Sequence, residues 1–229
     1  MKRVIISLID LLFPRKCLVC GKELLTGEYK ICLGCETDMP LTFFWSWKDN
    51  PAEKKMWGRC YLERVYSLFY YKEDAEHKNL IHSIKYKSEI ELALLLGEKL
   101  GQKILSDASA STIDLIIPVP LHSKKRRKRG YNQAELIARG INRALNKRVE
   151  TKLLLKRKHN VSQTKLSKIM RWKNVSEAYF VAPKYNIEGK HILIVDDVLT
   201  SGATIEACYN ALSSIGQIKV SIATLAYVE

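Results

Sequence analysis

The residues best equipped for chemistry lie between Ile192 and Thr204, reading ILIVDDVLTSGAT. Two neighbouring carboxylates, Asp196 and Asp197, are followed by Leu199 and then by a run of small and hydroxyl residues, Thr200, Ser201, Gly202, Ala203 and Thr204. Four aliphatic residues, Ile192 to Val195, precede the acids, which come where that strand should end. An unbroken apolar run of this length fits a strand buried on both faces of a parallel sheet. A helical pattern of Ile205, Cys208, Leu212 and Ile215 follows. Strand, turn and helix N-terminus together make an anion site, because the first helical amides lack internal partners and the helix dipole favours negative charge. Gly202 lets the backbone approach a ligand closely, and Thr200, Ser201 and Thr204 add hydroxyl donors. Two carboxylates beside a phosphate cradle suit ribose hydroxyls, or a Mg²⁺ that bridges sugar and phosphate. The bland alternative is a βα turn with one Asp as N-cap, which leaves the second acid unexplained. No G-K-[ST] follows, so this is not the Walker-type loop.

A second constellation is Cys17-Leu-Val-Cys20 with Cys32-Leu-Gly-Cys35. Each C-x-x-C makes a tight knuckle with two thiolates aimed at one centre, and two knuckles complete a tetrahedron. The spacing predicts a structural Zn²⁺ held by Cys17, Cys20, Cys32 and Cys35. Four thiolates leave no open position, so the metal is not catalytic; an iron–sulfur cluster is the alternative. Cys60 and Cys208 stand alone and read as core residues.

The third feature is charge. The 229-residue chain carries a net charge of +14, unevenly spread. His122 to Lys173 holds 18 Lys/Arg against two acids, Glu135 and Glu150, so the rest is nearly neutral. Charge confined to one stretch points to a polyanion partner, nucleic acid or a phosphorylated ligand. Within it, Pro120, Leu121 and His122 lead into Lys124, Lys125, Arg126, Arg127 and Lys128, and then Arg129-Gly130-Tyr131-Asn132-Gln133. The six consecutive basic residues read as a loop outside regular structure, closing over a pyrophosphate at the carboxyl end of a strand. Gly130 and Asn132 allow tight backbone approach there. The basic residues, with Arg157, Lys158 and Arg171 further on, are candidates for nucleic-acid phosphates; Tyr131 and Trp172 are candidates for stacking on bases. A solvated hood is the competing reading of Lys152 to Lys173, and lone His159 reads as a surface residue.

The elements that must position these groups follow from the pattern. Arg64 to Tyr71 and Asp114 to Pro120 read as strands, the second ended by Pro118 and Pro120. Residues 74–87, 89–106, about 134–145 and 203–215 read as helices, and Val220 to Ala226 as a last strand. Lys85 closes the first helix, where a cation suits the dipole. Residues 37–60, rich in Trp and Pro, read as a connector. Ile5, Ile6, Ile9, Leu12 and Phe13 fall on one side of a short packing helix, with a membrane-surface role as the minor alternative. With 47% hydrophobic residues the chain reads as globular. No transmembrane span and no signal peptide are expected, and the compartment is expected to be cytoplasmic and reducing.

The run from Ile192 to Thr204 resembles the PRPP-binding motif of type I phosphoribosyltransferases. That likeness implies that Leu199 to Thr204 hold a ribose 5′-phosphate and that Asp196 and Asp197 face the 2′- and 3′-hydroxyls. Over nearly its whole length the chain resembles the ComF family, also called the GntX or competence protein ComFC group. The likeness rests on the paired C-x-x-C, Lys85, P-V-P-L-H at Pro118–His122, R-G-Y-N-Q at Arg129–Gln133, the spaced Gln163, Leu166, Arg171 and Asn174 with Phe180 beyond, and Val195–Thr204. It implies a zinc finger in residues 1–60 joined to a phosphoribosyltransferase-like α/β domain in residues 61–229, a parallel sheet flanked by helices, with a basic loop and hood at 122–173. It also implies a role for Lys85 at the ligand, Mg²⁺ with PRPP, and a part in DNA uptake and single-strand handling, in which a helicase-type partner, and through it the membrane, is expected. An active phosphoribosyltransferase and a scaffold in an uptake complex are the alternatives.

Overall fold

The computed structural model describes residues 14–157, 178–183 and 185–229. The expected N-terminal helix ending at Phe13, and Lys158, His159, Asn160, Gln163, Leu166, Arg171, Trp172 and Asn174, lie outside the described residues.

Five strands form one all-parallel sheet: β1 (Arg64–Tyr70), β2 (Leu115–Pro118), β3 (Arg148–Val149), β6 (His191–Leu199) and β7 (Lys219–Tyr227). Their order is β1-β7-β6-β2-β3. Two short strands, β4 (Leu154–Lys156) and β5 (Tyr179–Val181), pair antiparallel outside it. A parallel sheet needs both faces covered, and alternation along β6 shows how it is done. Leu193 and Val195 join a core with Leu92, Leu96 and Leu100 of α4 (Ile90–Ile104) and Ile137 and Ile141 of α6 (Gln133–Leu145). Ile192 and Ile194 join a core with Ile205, Cys208 and Leu212 of α7 (Ala203–Ser213), together with Phe44, Met56, Leu154 and Tyr179. Helices α4 and α6 cross at backbone contact: a Cβ on Gly140 would overlap Leu94 O and one on Gly97 would overlap Ile137 O.

The cysteine knuckles are built into this fold. Cys17, Val19 and Ile31 are buried in the α4–α6 core. His77 Nε2 sits 2.9 Å from Cys35 O and Asn79 donates to Val19 O at 3.0 Å, tying the knuckles to α3 (Lys78–Tyr86). The connector is also more than a spacer. α1 (Leu33–Thr37) leads into it and α2 (Pro51–Met56) lies within it, the latter started by a capping box of Asn50 and Glu53. Phe44, Trp45 and Met56 are buried.

Two expectations about local structure are corrected. The basic run is not a loop: Ser123–Arg129 form the helix α5. His122 caps it by accepting Lys124 N–H at 3.2 Å, Gly130 at φ 86° ends it, and four cations in its last turn complement the dipole. The strand carrying the acids does not stop before them. It runs on to Leu199, because β7 continues beside it and pairs Asp196 with Thr224 and Leu199 with Tyr227.

Candidate functional site

The site forms where two neighbouring strands have unequal lengths. β2 pairs with β6 only as far as Pro118 opposite Val195. Beyond that point one flank of β6 is open, and Asp196 and Asp197 lie on the open part. Alternation gives Asp196 the face of Ile194 and Asp197 the face of Val195. Both nevertheless line one hollow of about 250 Å³, walled by Lys85, Tyr86, Val119, Pro120, Leu121, Lys125, Arg129, Gln133, Lys156, Tyr179 and Thr204.

The electrostatics are unbalanced. Burial, and then the charge of Asp197, push the Asp196 carboxyl up from 3.8 to about 7, although Asp197 N–H donates to Asp196 Oδ1 at 2.8 Å. Asp197 is buried and ion-paired with Lys85 Nζ at 3.3 Å, yet its Oδ2 accepts no hydrogen bond. A carboxylate oxygen left so, beside a second carboxyl, is a group prepared for a hydroxyl donor or a cation. On the other wall, burial lowers the Lys156 ammonium pKa, and its Nζ donates to Tyr179 Oη at 3.0 Å. Among the described residues Lys125 and Lys128 have no acidic partner. The pocket thus gathers cations around two acids and holds them without full compensation.

The loop after β6 is shaped by its neighbours. Gly202, at φ 77°, is the N-cap of α7. A Cβ there would overlap Met56 Sδ and lie 3.1 Å from Arg59 Nη1. Arg59 itself donates to Ser201 O at 2.6 Å and to Glu206 Oε2 at 2.5 and 3.0 Å. The connector therefore backs the loop and fixes where its amides point.

The sequence-predicted residues distribute unevenly. Lys85, Pro120, Leu121, Arg129, Gln133, Asp196, Asp197 and Thr204 meet in the 250 Å³ hollow, together with Lys125. Thr200 and Ser201 are exposed on the turn, and Leu199 is buried beneath it. Asn132 is structural: it donates to Val119 O at 3.0 Å and accepts Ala134 N–H at 3.1 Å, joining the end of β2 to the start of α6. Tyr131 donates its hydroxyl to Ile84 O, and Arg129 bonds Gln133. His122, Arg126 and Arg157 line a neighbouring hollow of about 680 Å³ with Phe180. Lys124 and Arg127 are exposed and line neither hollow. Four contributors escaped the sequence reading: Arg59, Met56, Lys156 and Tyr179. Lys156 and Tyr179 lie in or beside the basic stretch without a distinguishing motif. Arg59 acts on Ser201 across 142 residues, for which the sequence carries no signal.

The four thiols Cys17, Cys20, Cys32 and Cys35 lie within 4.8 Å of one another, and the Cys20 and Cys32 sulfurs are 3.9 Å apart. A tetrahedron of Zn–S bonds has an edge of about 3.8 Å. Val19 and Cys32 N–H groups point at Cys17 Sγ at 3.4 and 3.3 Å. Burial opposes ionisation of that thiol, but the backbone amides of Cys20, Cys32 and Val19 prevail and lower it to about 7. The donor set fits a structural zinc ion.

Comparison with known proteins agrees with both halves. Residues 8–43 match the double zinc ribbon domain, and residues 127–229 match the phosphoribosyl transferase domain. The chain is 29% identical over 146 residues to the DNA utilization protein YhgH of Escherichia coli O6:H1 strain CFT073, covering 62% of this chain and 63% of that protein. It is 32% identical over 114 residues to competence protein F of Haemophilus influenzae strain Rd, covering 49% and 50%. It is 31% identical over 103 residues to competence protein ComFC of Bacillus subtilis strain 168, covering 45% and 40%. The chain thus spans less than two thirds of the length of these curated relatives. Among the described residues no helix is long and apolar enough to cross a membrane. A segment similar to the double zinc ribbon thus precedes one similar to the phosphoribosyl transferase domain, in a chain similar to proteins named for competence and DNA utilization.

Proposed function

We propose that this protein binds a phosphorylated ribose, PRPP or a nucleotide, and handles single-stranded DNA during uptake. One observation carries the reading: two adjacent acids, of which only Asp197 has an ion pair among the described residues, sit in a pocket ringed by Lys85, Lys125, Arg129 and Lys156. A phosphorylated sugar satisfies both sets at once. Its hydroxyls donate to Asp196 and Asp197, and its phosphates meet the cations and the amides at the start of α7. Asp196 and Asp197 would also hold Mg²⁺, since Asp197 Oδ2 accepts no hydrogen bond; bound there, the ion would supply charge neutralisation for a diphosphate. The names of the relatives support the DNA part.

Nucleic-acid affinity resting on lysine and arginine falls steeply with salt, with a log–log slope of about −0.7 per phosphate contacted on a single strand. About four contacts from α5 give a slope of about −3. Fluorescence anisotropy of labelled oligothymidine between low and physiological salt tests this. A flat salt response, or no binding, contradicts the DNA reading.

The 680 Å³ hollow favours one second reading, transfer of the phosphoribosyl group to an acceptor seated there. In it Asp196 and Asp197 hold the ribose, Arg129 and Lys85 neutralise the departing pyrophosphate, and the acceptor attacks C1. Release of pyrophosphate that depends on both acids would support it.

A further inference from the structure

Three hollows meet beneath and beside α5. The acid-bearing hollow shares Lys85, Tyr86, Lys125 and Arg129 with one of about 350 Å³, which also includes Ser88 and Lys128. On its other side it shares Pro120, Leu121 and Lys156 with the 680 Å³ hollow. Shared walls make the three one trough, with the sugar-phosphate pocket in the middle.

The trough has the composition of a single-strand channel, cations tracking a backbone and aromatic faces for bases. At one end Tyr86 is 68% exposed, with the His82 ring 4.9 Å away and the Arg129 guanidinium 5.6 Å over its face. At the other, Arg157 lies 5.9 Å over Phe180. Helix formation sorts the basic run: Lys125, Lys128 and Arg129 line the trough on one side and Arg126 on the other, while Lys124 and Arg127 line none of these hollows. Asp196 and Asp197 on the floor repel phosphates, so a backbone is held to the α5 wall.

Resting on the function proposed above, we infer that a single strand runs along this trough across the phosphoribosyl pocket, so that strand and sugar phosphate exclude one another. The ligand in the pocket then acts as a release signal. Filling the middle of the trough takes Lys85, Tyr86, Arg129 and Lys156 from the strand, and by linkage the strand weakens the ligand equally.

The test is anisotropy of labelled oligothymidine of about 16 nucleotides on the full zinc-loaded chain, titrated with Mg–PRPP at constant ionic strength, with sulfate as control. Calorimetry measures Mg–PRPP binding alone. At Mg–PRPP about 100 times its own Kd, simple exclusion raises the strand's apparent Kd about 100-fold. Arg129→Gln should weaken both ligands, while the paired Lys124→Gln and Arg127→Gln chain should keep the full displacement. A strand that stays bound with Mg–PRPP in place overturns the shared trough and leaves the proposed function standing. Equal displacement by sulfate, or calorimetry without heat, overturns it too. A strand that never binds overturns both.

Discussion

Asp196→Asn should stabilise this protein while it removes function, and the effect should depend on pH. Burial and the Asp197 charge raise the Asp196 carboxyl from 3.8 to about 7. The folded chain therefore holds a proton on Asp196 where the unfolded chain has lost it. Stability falls as pH rises through that window, and the full penalty is in place above it. At about 1.4 kcal/mol per pH unit the shift corresponds to as much as ~4 kcal/mol. Asp196 keeps some solvent contact, and screening there reduces the figure to about 2 kcal/mol. An asparagine keeps an acceptor for Asp197 N–H, so no hydrogen bond is lost. For a chain of this length about 2 kcal/mol is a rise in Tm of about 4–8 °C. Thermal unfolding in magnesium-free buffer at pH 4 and pH 8 gives the answer. The gain should be present at pH 8 and nearly absent at pH 4. An equal gain at both values, or a loss at pH 8, would refute the reasoning that Asp196 is a strained carboxylate kept for a ligand.

Other perturbations probe the parts that hold the pocket. Cys17→Ser, or chelation of the metal, should lower the main unfolding transition by about 6–12 °C, equivalent to ~3 kcal/mol, since Cys17, Val19 and Ile31 share the α4–α6 core; an early separate melt with the main transition unmoved in calorimetry contradicts this. Gly202→Ala should cost about 1–2 kcal/mol for the left-handed backbone alone, and adding Met56→Ala should recover the part due to overlap with Met56, read as coupling in a double-mutant cycle of urea unfolding. Arg59→Leu should weaken phosphate-ligand binding about 10-fold and stability by about 1–3 kcal/mol by freeing Ser201 O and Glu206, with Arg59→Lys restoring part; unchanged affinity would mean that the loop needs no clamp. Gly140→Val should unfold the chain near ambient temperature, because its side chain would enter the backbone of α4.

Much of this architecture was legible because it is written in local pattern. The apolar run at Ile192–Val195 needs only period and composition to read as a buried parallel strand, and the C-x-x-C pairs need only spacing. What the pattern missed is set by neighbours. The strand passes its acids because β7 supplies a ladder as far as Tyr227, which nothing near Asp196 announces. Six basic residues become a helix because His122 and Gly130 cap it, and capping outweighs the repulsion of exposed lysines. Arg59 reaches Ser201 only after the connector has packed on the second face of the sheet.

The most direct measurement is calorimetric titration of Mg–PRPP into the zinc-loaded chain, alongside the Asp196→Asn and Asp197→Asn proteins. A pocket made by paired acids and surrounding cations predicts one saturable site whose affinity drops by at least about 10-fold in either variant, the worth of one charge-assisted hydrogen bond. Absence of binding, or an affinity indifferent to both substitutions, would contradict it.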